Sequence, residues 1–408
     1  MTASSFDTLV VGGGVIGCAI AWELAKRGQH VGVLERDAVG CGASGMAAGM
    51  LAPQSEAHAP DAWFQLLLAA RQLHRELVDQ LREESGVDVR YRPDGAVRVA
   101  LDDDEARELR DRAGWQRAAG LRAEWLCSDA ARRLEPGLTP SIAGALWAPD
   151  EAHVSAEHVT EALRIAARRR GVTFRERTAV TELVLSGDAV SGLLTLGGDL
   201  LSGDMPSGVR TAGGDMPSGA RTARGDVVSG VRTARGDVLS AGAVVLATGP
   251  WMPPLPSGGC LPMGPVKGQI VVGRGAPLQH VVWGRDAYLV PKAGQRVFIG
   301  ATEEEGTFDA RPTLGAVGEL IGAGSRLVPA VQGLVLQGVR TGLRPATPDR
   351  RPVLGRWPGV AGLYVAGGHF RNGILLAPLT GRLIAQLMSG ETPDHELAPY
   401  SPARITCG

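Results

Sequence analysis

The chain has 408 residues, enough for one large core or two modest domains at roughly 100–200 residues each. Apolar residues make up 44% and charged residues 21%, the balance of a soluble globular protein. A net charge of −1 offers no basic field to nucleic acid or to an acidic membrane surface, so neither is expected as a partner.

The N-terminal stretch alternates clearly. Asp7 to Val11 is a short apolar strand ending in Gly-Gly-Gly, Val15 to Arg27 reads as a helix stopped by Gly28, and Val31 to Leu34 is a second strand. This is the pattern of a parallel βαβ unit. The apolar run from Leu9 to Ala25 is no signal sequence: no Lys or Arg precedes it, and glycines interrupt it. No apolar run of about 18 residues exists elsewhere, so no membrane span is expected. The five cysteines, Cys18, Cys41, Cys127, Cys260 and Cys407, form no CxxC pair and no Cys/His cluster. Neither a disulfide framework nor a metal site is expected, and a cytoplasmic location follows by default.

Further along, Ala62 to Glu84 is a long helical stretch closed by Gly86. From about Val87 to Trp147 short strands alternate with two helices, one starting at the acidic run Asp102 to Glu105, the other near Ser128-Asp129. Ser155 caps a helix running to Arg170. Then Asp204, Asp215, Asp226 and Asp237 recur every 11 residues. That period is too short for the usual solenoids. Its Gly, Ser and Asp supply turn chemistry, so the 200–240 stretch reads as a duplicated hairpin turn, extended or disordered at the surface. Ala243 to Ala247 is a buried-type strand ending in Thr248-Gly249-Pro250. A strand-rich region follows to about Gln337. Leu363 to Ala366 is a strand running into Gly367-Gly368 and a helix from about Ile374 to Met388.

Gly12, Gly14 and Gly17 form G-x-G-x-x-G after a strand and at a helix start. The first glycine permits the tight turn, the second lets the backbone approach a pyrophosphate, and the third lets helix and strand pack closely. The free N–H groups of the helix start favour the diphosphate. Glu35 closes the second strand about 20 residues on, where it can accept from ribose hydroxyls and repel a 2′-phosphate. The plain alternative is a glycine-rich turn with no ligand. This fingerprint does not separate NAD from FAD. Ala247-Thr248-Gly249 and the Gly367-Gly368 helix start do, because a helix N-terminus aimed at the N1–C2=O edge of a reduced flavin stabilises its negative charge. FAD is the expected cofactor.

The run H-F-R-N-G-I-L-L from His369 to Leu376, preceded by Ala366-Gly367-Gly368 and followed by Ala377-Pro378, closely resembles the glycine oxidases (ThiO) of the D-amino-acid oxidase superfamily. Ala47 to Leu51, Pro265 to Gln269, Ala287 to Pro291, Gly300 to Thr302, and Gly342 to Pro345 with Thr347, Asp349 and Pro352 are similar to that family's segments in the same order. The 11-residue repeat stands outside the resemblance. What the resemblance implies is an α/β chain, α+β overall. A two-dinucleotide-binding-type FAD domain with a Rossmann-like βαβ unit would span 1–88, 144–251 and 338–395. A β-sheet substrate domain flanked by helices would span 89–143 and 252–337. It implies a cofactor shell of Gly12, Gly14, Val15, Ile16, Gly17, Glu35, Arg36, Ala43, Ser44, Ala48, Gly49, Met50, Val180, Thr248 and Gly249. His369, Phe370, Arg371, Asn372, Gly373, Ile374 and Leu375 complete it. It also implies oxidation of the Cα–N bond of glycine, a small amine or a D-amino acid. Hydride passes to flavin, O2 gives H2O2, and the imine feeds thiazole synthesis for thiamine or hydrolyses. A homo-oligomer, often a tetramer in the family, is implied as well.

An amino-acid carboxylate is best held by a planar, always-charged fork, and Arg344 matches the family's carboxylate-binding arginine. The plain alternative is a salt-bridged arginine, with Asp349 as a partner. Tyr288 matches a tyrosine near that carboxylate; Arg371 would add positive charge near substrate or flavin, or brace its loop. Ala52 and Glu303 join the substrate-binding set. Asp286 and Glu303 depart from the family pattern. If either carboxylate faces the substrate amine, it favours the ammonium form. Alternatives are a D-amino-acid dehydrogenase, a sarcosine oxidase-like enzyme, or an FAD module for tRNA modification.

Overall fold

The computed structural model describes residues 5–186, 194–195, 226–252, 255, 260–275 and 278–405. Two large sheets organise them: a parallel-rich sheet of ten strands and a mostly antiparallel sheet of nine.

In the first sheet, Ser5–Val11 lies centrally, parallel to Val31–Leu34 on one side and to Val238–Leu246 on the other. Leu363–Gly367 continues the sheet in parallel beyond Val238–Leu246. Both faces of this core are covered, so the strands read as continuous apolar runs; Leu9, Val10, Val244, Val245 and Val365 are fully buried. The register sets Val11 beside Leu34 and Leu246, and Leu246 beside Val365. The C-terminal ends of four parallel strands therefore share one edge, the place where α/β sheets bind ligands. Two helices begin at that edge, Val15–Lys26 and Gly373–Met388. They pack closely through small residues: a Cβ on Gly381 would fall 2.8 Å from the Ala19 backbone.

In the second sheet, Gly264–Arg274 pairs along its length with Val335–Ala346 and also with Arg296–Gly300, which pairs with Tyr288–Lys292. Leu314–Leu327 covers one face.

The capping signals resolve as read. Asp102 accepts from the Glu105 N–H at 2.8 Å and opens Asp103–Ala118; Gly86, at φ 78°, ends Ala62–Ser85. Several details differ from the sequence reading. Gly144–Ala148 pairs with Ala96–Ala100, and Val335–Ala346 with Gly264–Arg274, so both strands stand in the second sheet. The end of the repeat is no surface extension. Asp226–Thr233 is paired on both sides, by Val180–Ser186 and by Val238–Leu246, with Val228 and Val231 buried. The reason is legible in hindsight: this copy carries Val227-Val228 where the earlier copies carry Met205-Pro206 and Met216-Pro217, and proline cannot donate to a ladder. Those earlier copies lie outside the described residues. Cys260 is disulfide-bonded, against the expectation from cysteine spacing. An odd count without a CxxC pair argues against a framework of bridges, not against a single bridge.

Candidate active site

At the shared strand edge a cavity of about 890 Å3 runs from Glu35 to Arg344. Its first part is built from the glycine loop. Gly12 has φ 109°, and a Cβ there would fall 2.3 Å from the Ala247 carbonyl oxygen. The two strand ends can approach only because that position is bare. A Cβ on Gly17 would fall 2.0 Å from the Gly12 oxygen. Gly17 therefore seats the helix against the loop, and it does not line the cavity. Ser44 Oγ accepts from the Val15 N–H at 2.9 Å, tying the helix start to the following loop. Glu35 accepts from the Gly13 N–H at 2.7 Å and from the Asp37 N–H at 2.9 Å. Both bonds hold its carboxylate at the cavity wall. Arg36 lies 4.4 Å from the Trp251 ring, and both border the same end.

Of the sequence-read shell, Val15, Ile16, Ala43, Ala48, Gly49, Met50, Val180, Thr248 and Gly249 line this cavity, as do all residues from His369 to Ile374. Leu375 does not; at 1% exposure it belongs to the core. His369 is a wall and a brace at once. Its Nε2 meets Thr380 Oγ1 at 3.0 Å, and burial pushes its pKa down to about 3, so the imidazole is neutral. Thr341 was not foreseen. It borders the cavity with a buried Oγ1 that lacks a partner among the described residues, and a polar ligand group could satisfy it.

At the far end Tyr288 and Arg344 meet. The Arg344 guanidinium lies over Gly268, where a Cβ would come within 2.4 Å of its Cζ. The Tyr288 hydroxyl lies over Gly300, where a Cβ would come within 2.6 Å of it. Two glycines in facing strands thus clear the space for the two polar groups. Arg344 Nη1 donates to the Thr302 carbonyl at 2.9 Å and hydrogen-bonds Tyr288. Burial lowers the Arg344 pKa and raises that of Tyr288, the latter opposed by the nearby guanidinium groups. Asp349 is not the partner of Arg344; it pairs with Arg404 at 3.1 Å. Among the described residues Arg344 has no carboxylate in ion-pair range.

The chain matches the FAD dependent oxidoreductase (DAO) family over residues 7–387. The chain belongs to that FAD-dependent family. The glycine oxidase of Geobacillus kaustophilus is 36% identical over 98% of this chain and 97% of that protein. Its crystal structure superimposes with a TM-score of 0.85, at 35% identity, over 98% of this chain and 99% of that one. The bifunctional protein ThiO/ThiG of Synechocystis is 32% identical over 98% of this chain and 54% of that protein.

The cavity fits the family's cofactor. A bare glycine loop at a helix start suits a diphosphate, Glu35 suits ribose hydroxyls, and the Gly373–Met388 helix start at the other end suits a flavin ring. About 890 Å3 lies near the top of the range of roughly 300–1,000 Å3 for ligand pockets, room for a dinucleotide and a small substrate.

Three substrate-end expectations change. Glu303 does not border the flavin cavity; it pairs with Arg371 at 2.6 Å and Arg350 at 3.4 Å. Asp286 is exposed and paired with Arg326 at 2.7 Å, outside the cavity. Neither carboxylate is placed to meet a substrate amine. Arg371 is no free charge: Glu56, at 3.1 Å, is the main cause of its raised pKa. Glu56 was missed, although it stands on the same turn as Ala52, which does line the cavity. The turn is held by buried polar contacts. Ser55 donates from N and Oγ to Glu151 at 2.9 and 2.6 Å, and its carbonyl accepts from Arg98 at 2.7 Å and Arg112 at 3.1 Å. A single acid in A-P-Q-S-E-A was the available signal.

Proposed function

We propose that this chain oxidises glycine, or a small amine or D-amino acid close to it, at the Cα–N bond, with O2 as acceptor and H2O2 as product. The observation that carries the reading is Arg344: a guanidinium without an acidic partner among the described residues, facing a cavity it shares with Tyr288 and the flavin-binding loops. Bound FAD supplies the electron sink for the amine hydride.

The residues supply position. Arg344 takes the substrate carboxylate through its planar fork, and the Tyr288 hydroxyl donates to the same group. The Thr302 carbonyl fixes the fork in place. A carboxylate held there would leave the Cα–N bond to the part of the cavity lined by Met50 and His369 to Ile374. Oxidation of a neutral amine needs no side-chain base at carbon, and the raised pKa of Tyr288 keeps it a donor at neutral pH. Gly12, Gly14, Val15 and Glu35 would hold the diphosphate and ribose, and Gly373 and Ile374 the flavin edge.

The relatives named ThiO/ThiG support a supply role, in which the imine from glycine feeds thiazole formation for thiamine. The test is H2O2 release by the purified flavoprotein with glycine, sarcosine, D-alanine, D-proline and their L-counterparts. Turnover with glycine or sarcosine supports the reading. Turnover only with an artificial electron acceptor overturns it in favour of a dehydrogenase.

A further inference from the structure

The charges at the substrate end are shared unevenly between two arginines. Arg344 meets neutral groups, the Thr302 carbonyl and the Tyr288 hydroxyl. Arg371 meets two carboxylates. Its Nε and Nη2 face Glu56 at 3.1 Å and its Nη1 faces Glu303 at 2.6 Å. Consecutive residues on one loop make this division: Thr302 orients one guanidinium with a neutral acceptor, and Glu303 neutralises the other. Glu303 is held in turn. Arg350 reaches its second oxygen at 3.4 Å, and the Arg350 guanidinium lies 4.4 Å from the Phe370 ring.

We propose that Glu303 is a specificity-determining residue that withholds Arg371 from substrate, so that the site accepts monocarboxylate amines and rejects those with a second carboxylate. The proposal rests on the amine-oxidation reading of this cavity. A small amino acid has one carboxylate, and Arg344 is the guanidinium left to take it. A second carboxylate on the amine side would look for Arg371, which lines the cavity. It would find that fork occupied on both edges, and it would face the Glu56 carboxylate on the cavity wall. Rejection by like charge is a standard route to selectivity. Glu303 acts through Arg371 and does not border the flavin cavity, so it is a positioning residue and touches no reacting atom. A residue that merely braced the Phe370–Asn372 turn would raise the KM of every substrate alike.

The test compares wild-type holoenzyme with Glu303→Gln, Glu303→Ala and Glu303→Asp. Turnover is measured with sarcosine and with iminodiacetate. Dissociation constants for glycolate and diglycolate are measured from the perturbation of bound-flavin absorbance. Gln and Ala should each raise the dicarboxylate-to-monocarboxylate ratio of kcat/KM, and of binding constants, by about tenfold or more, through KM and not kcat. Asp should restore the wild-type ratio. Ratios within about threefold of wild type in both Gln and Ala, or equal loss of both ligand classes, would overturn the proposal. Should wild type oxidise no amine at all, the functional reading fails, while the glycolate and diglycolate constants still decide the role of Glu303.

Discussion

Removing the Arg344 guanidinium should collapse substrate affinity and spare the flavin. The magnitude follows from its surroundings. One N–H is committed to the Thr302 carbonyl at 2.9 Å, and Tyr288 shares another contact. The remaining fork can give a carboxylate two charge-assisted bonds, each worth about 1.5–3 kcal/mol. Arg344 is half-buried, so solvent screening is partial and the low end applies, about 3 kcal/mol in total. At about 1.4 kcal/mol per decade, Arg344→Ala should raise the glycine KM by about 100-fold or more. Arg344→Lys keeps the charge and loses the planar fork, so it should recover about one decade at most. Steady-state H2O2 release gives KM, and the ratio of flavin to protein absorbance gives cofactor content. A KM within about threefold of wild type would refute the carboxylate argument. Loss of flavin in both variants would show that Arg344 instead holds the cofactor cavity together.

Three further outcomes are expected. Gly268→Ala places a Cβ within 2.4 Å of the Arg344 Cζ, so it should displace the guanidinium and raise KM by about tenfold with kcat changed less; equal KM values would show that the fork moves freely. His74, His153 and His369 are buried with pKa values pushed down to about 4, about 2 and about 3, burial being the main cause in each. Their folded pKa values lie below the unfolded value, so the stability they contribute is present above about pH 6.5 and lost as pH falls toward those values. At pH 4.5 keeping each imidazole neutral costs on the order of 2–3 kcal/mol, a sizeable share of a domain's stability. Thermal unfolding followed by flavin fluorescence should show Tm falling steeply between pH 6.5 and 4.5, and a flat profile would contradict this. Deleting Gly203 to Arg224 removes two 11-residue periods between paired strands whose ends meet at Ser186 and Val227. Flavin content and activity should survive the deletion, and insoluble protein would show that the segment packs on something.

What the sequence made legible was local chemistry. Gly12, Gly14 and Glu35 declare themselves because bare backbone at a helix start suits a diphosphate and a carboxylate at a strand end suits a ribose, and Gly17 because the helix must seat closely on the loop. The caps at Asp102, Ser155 and Gly86 declare themselves for the same local reason. Arg344 and Tyr288 were reachable only through family resemblance, since what defines them is what lies beneath: Gly268 and Gly300, which strand register brings under them from 76 and 12 residues away. Ion pairs were the least legible. Glu303 and Asp286 looked alike as departures near the substrate. One pairs with Arg371 and the other with Arg326, and no spacing rule distinguishes partners 68 and 40 residues distant. In the repeat the 11-residue period hides a difference between copies: a Val-Val for Met-Pro exchange lets the third join the sheet as a strand.

The central claim is that one cavity joins a flavin to a carboxylate-bound amine. Its most direct test is anaerobic titration of the purified yellow protein with glycine or sarcosine, followed by admission of O2. The flavin absorbance should bleach as substrate is added and return with O2, with H2O2 formed in step. A flavin that stays oxidised under excess glycine and sarcosine, or a protein that carries no flavin, would contradict it.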